Sequence, residues 1–116
     1  MRRYRKPAAT KDLKEQGRVI LAHGEVTGHA HQVCADTETD ALPDAEYFEE
    51  PDGRRVLLVL RPCVLRHQEH GPIALDPANP VLFRQGDVLL KPIGAGAWEV
   101  VRQQEYAPEA INQVAD

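Results

Sequence analysis

A chain of 116 residues has room for one hydrophobic core and little more, since domains typically take about 100–150 residues. A hydrophobic share of 42% beside 28% charged residues describes an ordinary soluble globular domain, and no apolar run approaches the ~18 residues that cross a bilayer, which excludes membrane-spanning helices. Charge is divided unevenly within the net −4: residues 1–18 hold seven Arg and Lys against Asp12 and Glu15, a local +5, and residues 19–116 hold seven bases against sixteen acids, a local −9.

The first residues, Met1-Arg-Arg-Tyr-Arg-Lys6, are basic but are followed by Pro7 and polar residues instead of an apolar stretch, so they read as no secretory signal and the expected location is cytoplasmic. Residues 1–17 read as a basic, solvated arm ahead of a single domain over 18–116. Serine is absent from the chain, which removes Ser-His-Asp hydrolases, and there is no GxxxxGK phosphate loop. Cys34 and Cys63 are too far apart for a CxxC motif, and reduced, buried thiols are expected.

Past the arm, Pro and Gly punctuate short segments rich in Val, Leu and Ile, a rhythm that belongs to β structure. Arg18–His23 reads as a first strand and His29–Cys34 as a second, with a turn at Gly28. Residues 36–52 contain eight acids and no base, and the first part of this stretch reads as a loop. Glu46–Glu50 and Arg55–Leu60 flank Pro51-Asp-Gly53, the strongest hairpin signal in the chain. Cys63–Glu69 reads as a strand that His70-Gly71-Pro72 ends, followed by a short Ile73–Leu75 segment. Asp76–Pro80 reads as a loop, Arg84–Asp87 as a turn, Val88–Ile93 and Trp98–Tyr106 as further strands. Pro108, Ala110, Ile111, Val114 and Ala115 outline a short C-terminal helix. Seven or eight strands and one helix make an all-β sandwich or barrel.

Four of the five histidines fall in two groups, Gly28-His29-Ala-His31 and His67-Gln-Glu-His70. On a strand, residues two apart share a face, so His29 and His31 project side by side, as do His67 and Glu69. His70 points away unless the strand breaks, and Gly71-Pro72 predicts that break. Neighbouring strands would then bring together three imidazoles and either Glu69 or His70, a set suited to a divalent first-row transition metal: Fe, Mn, Ni, Cu or Zn. Between the two, His70 is expected as the ligand, with Glu69 holding a neighbouring imidazole. His23 has no partner spaced beside it and reads as structural.

The HxH pair after a Gly-containing turn, a later His on another strand and the small all-β plan resemble the cupin family. That resemblance implies a double-stranded β-helix binding a metal through two His of the HxH, a Glu and a further His, with His29 and His31 as the HxH and the later His at His67 or His70. Over residues 18–106 the chain also resembles small bacterial and phage proteins carrying GEVTGHAH, HxEH, RQGDVLL and RQxEY, matched here by Gly24–His31, His67–His70, Arg84–Leu90 and Arg102–Tyr106. This second likeness implies no reaction.

The resulting expectation is a cupin-like protein holding one metal through His29, His31, His67 and Glu69 or His70. An open coordination position would make it an enzyme on a small molecule, with Tyr106, Arg102 and Glu25 as acid–base or orienting groups. A closed site would instead staple a small core. A third expectation uses residues 1–16 to bind nucleic acid or an acidic partner, although the acidic body speaks against it. Exposed strand edges predict a homo-oligomer.

Overall fold

The computed structural model describes residues 2–24, 29–37 and 41–103. Among these the fold is all-β, as the punctuation implies, and is built of two antiparallel sheets with no helix. The predicted helix near Pro108 lies outside the described residues. Among the described residues no helix is long and apolar enough to cross a membrane.

The larger sheet runs in the order β1 (Lys11–Asp12), β4 (Ala45–Glu49), β5 (Arg55–Val59), β10 (Ala97–Arg102), β9 (Val88–Gly94) and β8 (Phe83–Gln85). The smaller runs β2 (Val19–Ala22), β3 (His31–Ala35), β6 (Cys63–Arg66) and β7 (Ile73–Leu75). Hairpins supply most of the pairings: β2 with β3, β4 with β5, β6 with β7, β8 with β9 and β9 with β10. Three longer-range pairings, β1 with β4, β3 with β6 and β5 with β10, complete the sheets.

Local chemistry accounts for the hairpins. Gly53 closes the β4–β5 turn at φ 92, a conformation a side chain would strain. Its N–H donates to Glu50 O at 2.8 Å, and Asp52 Oδ1 accepts the Arg54 N–H at 2.9 Å, so the turn satisfies its own backbone. Alternation does the rest. Tyr47, Leu57, Val59, Val88, Leu90, Trp98 and Val100 from the larger sheet meet Val19, Leu21, Val33, Cys63, Leu65 and Leu75 from the smaller in one core. Trp98 is fully buried and donates its indole N–H to Val81 O at 2.8 Å, which answers the one polar atom it brings inside. Both cysteines are buried, as expected.

Beside the strand of Cys63–Glu69, which stops at Arg66, two expectations need correction. Arg84–Asp87 is not wholly a turn: Arg84 and Gln85 belong to β8, and only Gly86 and Asp87 turn between Gln85 and Val88. Gly86 sits at φ 61 and Asp87 is not at positive φ, the φ pattern of a II′ hairpin with glycine first.

The second correction concerns the basic arm, which lies on the larger sheet instead of standing apart. Lys11–Asp12 pairs with β4, and the Ala95 N–H donates to Arg2 O at 3.0 Å. Phe48 faces away from the inter-sheet core, yet it is only 2% exposed. Tyr4 packs against its ring with centroids 6.4 Å apart, and the Lys6 ammonium stands 4.7 Å from the ring centre while pairing with Glu46 at 2.6 Å. The physical reason is the apolar outer face itself: Phe48 and Val56 pair across β4 and β5 and need a cover.

A buried carboxylate fastens this strap. Glu50, 6% exposed, accepts from Arg54 Nε at 2.7 Å and from the Tyr4 hydroxyl. The Arg54 bond holds the Glu50 carboxyl below its usual value against the opposing effect of burial, with the Tyr4 bond adding to it. A lowered carboxyl pKa contributes stability above the ordinary value of 4.5 and loses it as pH falls through the folded value. Glu50→Gln is therefore expected to cost about 1.5–3 kcal/mol at pH 7 and less at pH 3. Urea unfolding at the two pH values measures the difference, and an equal cost at both would contradict this account.

Candidate functional site

The register of the smaller sheet determines where the histidines meet. Gln32 pairs with Arg66, so continuing the ladder by one residue sets His31 opposite His67, and both lie on the inward side with Val33 and Leu65. Their ring centroids are 4.3 Å apart. His29 precedes β3, and its ring stands 6.1 Å from that of His67. The β6 ladder ends at Arg66, where the Glu69 N–H turns back to donate to His67 Nδ1 at 3.0 Å. That turn brings the His70 ring within 4.6 Å of His67 and 6.0 Å of His31.

All five expected positions, His29, His31, His67, Glu69 and His70, line one cavity of about 340 Å³. His23, Gly86, Asp87 and Arg102 also border it. His23 sits at the exposed rim and pairs with Glu15 at 2.8 Å. Of the proposed acid–base groups, Arg102 borders the cavity, whereas Glu25 and Tyr106 lie outside the described residues.

The rings lie beside one another more than they aim at a common point: His31 and His70 are 16° from parallel, His31 and His67 32°. Among the described residues, no group of three or more His, Cys, Asp or Glu is disposed to hold a metal ion as the side chains stand. Two nitrogens have other occupations, since Gln85 engages His31 Nδ1 and the Glu69 N–H engages His67 Nδ1.

Gln85 is the residue the sequence reading missed. It is 3% exposed, and its Nε2 donates to Leu65 O at 3.1 Å and Gly71 O at 3.0 Å. With both amide hydrogens spent on carbonyls, Oε1 must be the atom 2.8 Å from His31 Nδ1. An amide oxygen only accepts, so Nδ1 carries the hydrogen and, in the neutral ring, Nε2 carries the lone pair. His31 itself is 4% exposed.

Asp87 was also missed. Its Oδ1 lies 3.4 Å from His31 Nε2, and its Oδ2 accepts from Arg102 Nε at 3.0 Å and Nη2 at 2.9 Å. Burial raises the Asp87 carboxyl, but the Arg102 hydrogen bonds and charge outweigh it and hold it below the usual range. Burial first, then the neighbouring His31 and His70 rings, push His67 below its ordinary 6.5. Glu69, by contrast, is exposed, and its carboxylate lies 3.4 Å from His29 Nδ1. The available sequence signal was Gly86-Asp87, a glycine-first two-residue turn leading into the Val88–Ile93 run, which would place Gln85 just before it.

Gly86 sits directly under the rings. A Cβ there would come 2.8 Å from His70 Nε2 and 3.2 Å from His31 Cε1, whereas at Gly53 it would meet nothing within 4 Å. Both glycines have positive φ, so Gly86→Ala and Gly53→Ala should each cost roughly 1–2 kcal/mol. Only Gly86→Ala should displace the His70 ring, because that exposed side chain yields more readily than backbone. Imidazole proton–nitrogen NMR spectra test this: His70 signals unmoved by Gly86→Ala would contradict the packing described.

No curated protein and no solved structure matches the chain. Residues 2–79, more than half of the chain, match the model of a family described as a domain of unknown function (DUF8820), a stretch that contains all the clustered histidines and stops before Gln85 and Asp87. The chain belongs to that family.

Proposed function

We propose that this protein binds one divalent transition-metal ion, Fe, Mn, Ni, Cu or Zn, in the histidine-lined cavity. The observation that carries this reading is the gathering of His29, His31, His67 and His70 from two neighbouring strand ends around one space. Burial, and after it the neighbouring His31 and His70 rings, hold His67 below its ordinary value. Neutral imidazoles are the form that ligates. His70 is exposed and His67 half-buried, so turning these rings toward an ion disturbs little of the core.

The cavity of about 340 Å³ leaves space beside an ion for waters or a small ligand. An open coordination position, and catalysis on a small molecule through it, follow from this reading as its strongest form. The cupin likeness enters through ligand chemistry, imidazoles at the ends of adjacent strands of a two-sheet β fold. Closure of the two sheets into a cupin-like barrel belongs to the same proposal.

Titration of the metal-stripped, untagged chain with Co(II) tests the reading by absorption and by melting temperature. Binding to the native state alone stabilises by about 2.7 kcal/mol at a hundredfold excess over Kd. His31→Ala should lose the spectrum and the stabilisation together, whereas Gln32→Ala, on the opposite side of β3, should retain both and cost under about 0.5 kcal/mol. A wild-type chain that takes up neither Co(II) nor Zn(II) and gains no stability from them overturns the proposal.

A further inference from the structure

We infer that Asp87 supplies the carboxylate of this site, pairing its Oδ1 with His31 Nε2 to hold the ion, and that Gln85 is the positioning residue that makes His31 Nε2 the donor; this rests on the metal-binding reading above. The geometry behind it lies outside the histidine motifs, on the turn between β8 and β9.

Three bonds fix the buried Gln85 amide: His31 Nδ1 to Oε1 at 2.8 Å, and Nε2 to Leu65 O and Gly71 O at 3.1 and 3.0 Å. The amide cannot flip without setting N–H groups against His31 Nδ1–H and losing both carbonyls. The hydrogen on Nδ1 leaves Nε2 as the nitrogen open to an ion, and a carboxylate oxygen of Asp87 lies 3.4 Å from it.

The separation is compatible with two ligands of one ion. A proton shared as a charge-assisted hydrogen bond draws N and O to about 2.7–2.9 Å. Two donors that each lie about 2.1 Å from an ion, at angles between 90° and tetrahedral, stand ~3.0–3.4 Å apart. The 3.4 Å between His31 Nε2 and Asp87 Oδ1 falls in the second range, as does the 3.4 Å between His29 Nδ1 and Glu69 Oε2, so the choice between the two carboxylates rests on how each is supported.

Arg102 completes the arrangement. It engages only Oδ2, through both Nε and Nη2, and leaves Oδ1 turned toward His31. Ligating carboxylates are commonly oriented by such an outer hydrogen bond. Glu69 has no comparable support: its side chain is 64% exposed against 27% for Asp87, and no hydrogen bond orients its carboxylate among the described contacts. Its contribution is the backbone N–H that shapes the turn at His67.

Co(II) affinity of the full chain and its single variants tests the inference. Asp87→Asn should weaken binding at least about 100-fold, Glu69→Gln less than about 10-fold, and Gln85→Leu about 10-to-100-fold through His31. Because Gln85→Leu and Asp87→Asn remove structural bonds, two measurements use the wild-type protein. Loading with ¹¹³Cd should produce a cadmium–nitrogen coupling at His31 Nε2 and none at Nδ1. It should also shift the side-chain carboxyl ¹³C signal of Asp87 more than that of Glu69. Coupling at Nδ1, an unmoved Asp87 carboxyl in the loaded protein, or a folded Asp87→Asn variant that binds Co(II) within threefold of wild type would overturn the inference while leaving metal binding intact. A wild-type chain that binds neither Co(II) nor Cd(II) would overturn both.

Discussion

The carboxamide of Gln85 is where the two sheets are tied together at the cavity end. It projects from β8 of the larger sheet and bonds His31 at the start of β3, the carbonyl of Leu65 in β6, and the carbonyl of Gly71 beyond it. The apolar core behind it, from Val33 and Leu65 to Val88 and Leu90, supplies most of the driving force for packing but little angular preference. Hydrogen bonds do have direction. Three of them converging on one buried amide fix how the end of one sheet addresses the other, and thereby which nitrogen of His31 looks outward. The same amide would be costly if any partner were lost, since a buried donor or acceptor left unmade forfeits its hydration.

The other face of the larger sheet follows a different logic. Phe48 and Val56 create an apolar outer surface that water would otherwise cover, and the N-terminal segment lies across it through Tyr4 and Lys6. The charge asymmetry of the chain acquires an internal use from this placement. The basic start meets carboxylates from the acid-rich stretch, Lys6 on Glu46 and Tyr4 on Glu50. Glu50 is further neutralised by Arg54, four residues on across the Gly53 turn. Most of the net positive charge of residues 1–18 remains on exposed side chains, so the contacts that order the strap are a few specific ones and not a general attraction.

Sequence alone disclosed those features whose cause is local. Pro51-Asp-Gly53 names its own turn, and the short Ile73–Leu75 segment expected after Pro72 is a strand. Features with tertiary causes were not legible. The strand Phe83–Gln85 is three residues long and two of them are polar, so no period-2 pattern distinguishes it from a turn; Gln85 is buried only because the opposite sheet arrives above it. Strand β1 has two residues, too few for any periodicity, and owes its existence to the edge offered by β4. The predicted extension of β6 to Glu69 failed at Arg66 because the His67 ring, by accepting the Glu69 N–H, diverts the backbone from the ladder. In each case the deciding partner is distant in sequence or is a side chain acting on backbone, and neither leaves a trace in alternation.

The four rings are unequal in how firmly they are held, and this has consequences for the proposed binding. His31 is buried and bonded at Nδ1, so its donor is set before any ligand arrives. His70 is exposed, and His67 is bonded, among the described residues, to a backbone N–H within its own turn. Immobilising a mobile side chain costs about 0.5–1.5 kcal/mol, so recruiting these two rings offsets part of what their bonds to an ion contribute. The chain must also give up the Glu69 N–H bond to His67 Nδ1 if that nitrogen is used, or break it by retautomerising if Nε2 is used with Nδ1 as the donor. Order imposed by an ion would therefore fall mainly on the His67–Gly71 segment, and since Gly71 O is one of the carbonyls that orient Gln85, tightening that segment reinforces the bond that holds His31. Fixed and adjustable halves of the site are coupled through one amide, so whatever steadies the turn after β6 also steadies the ring it faces.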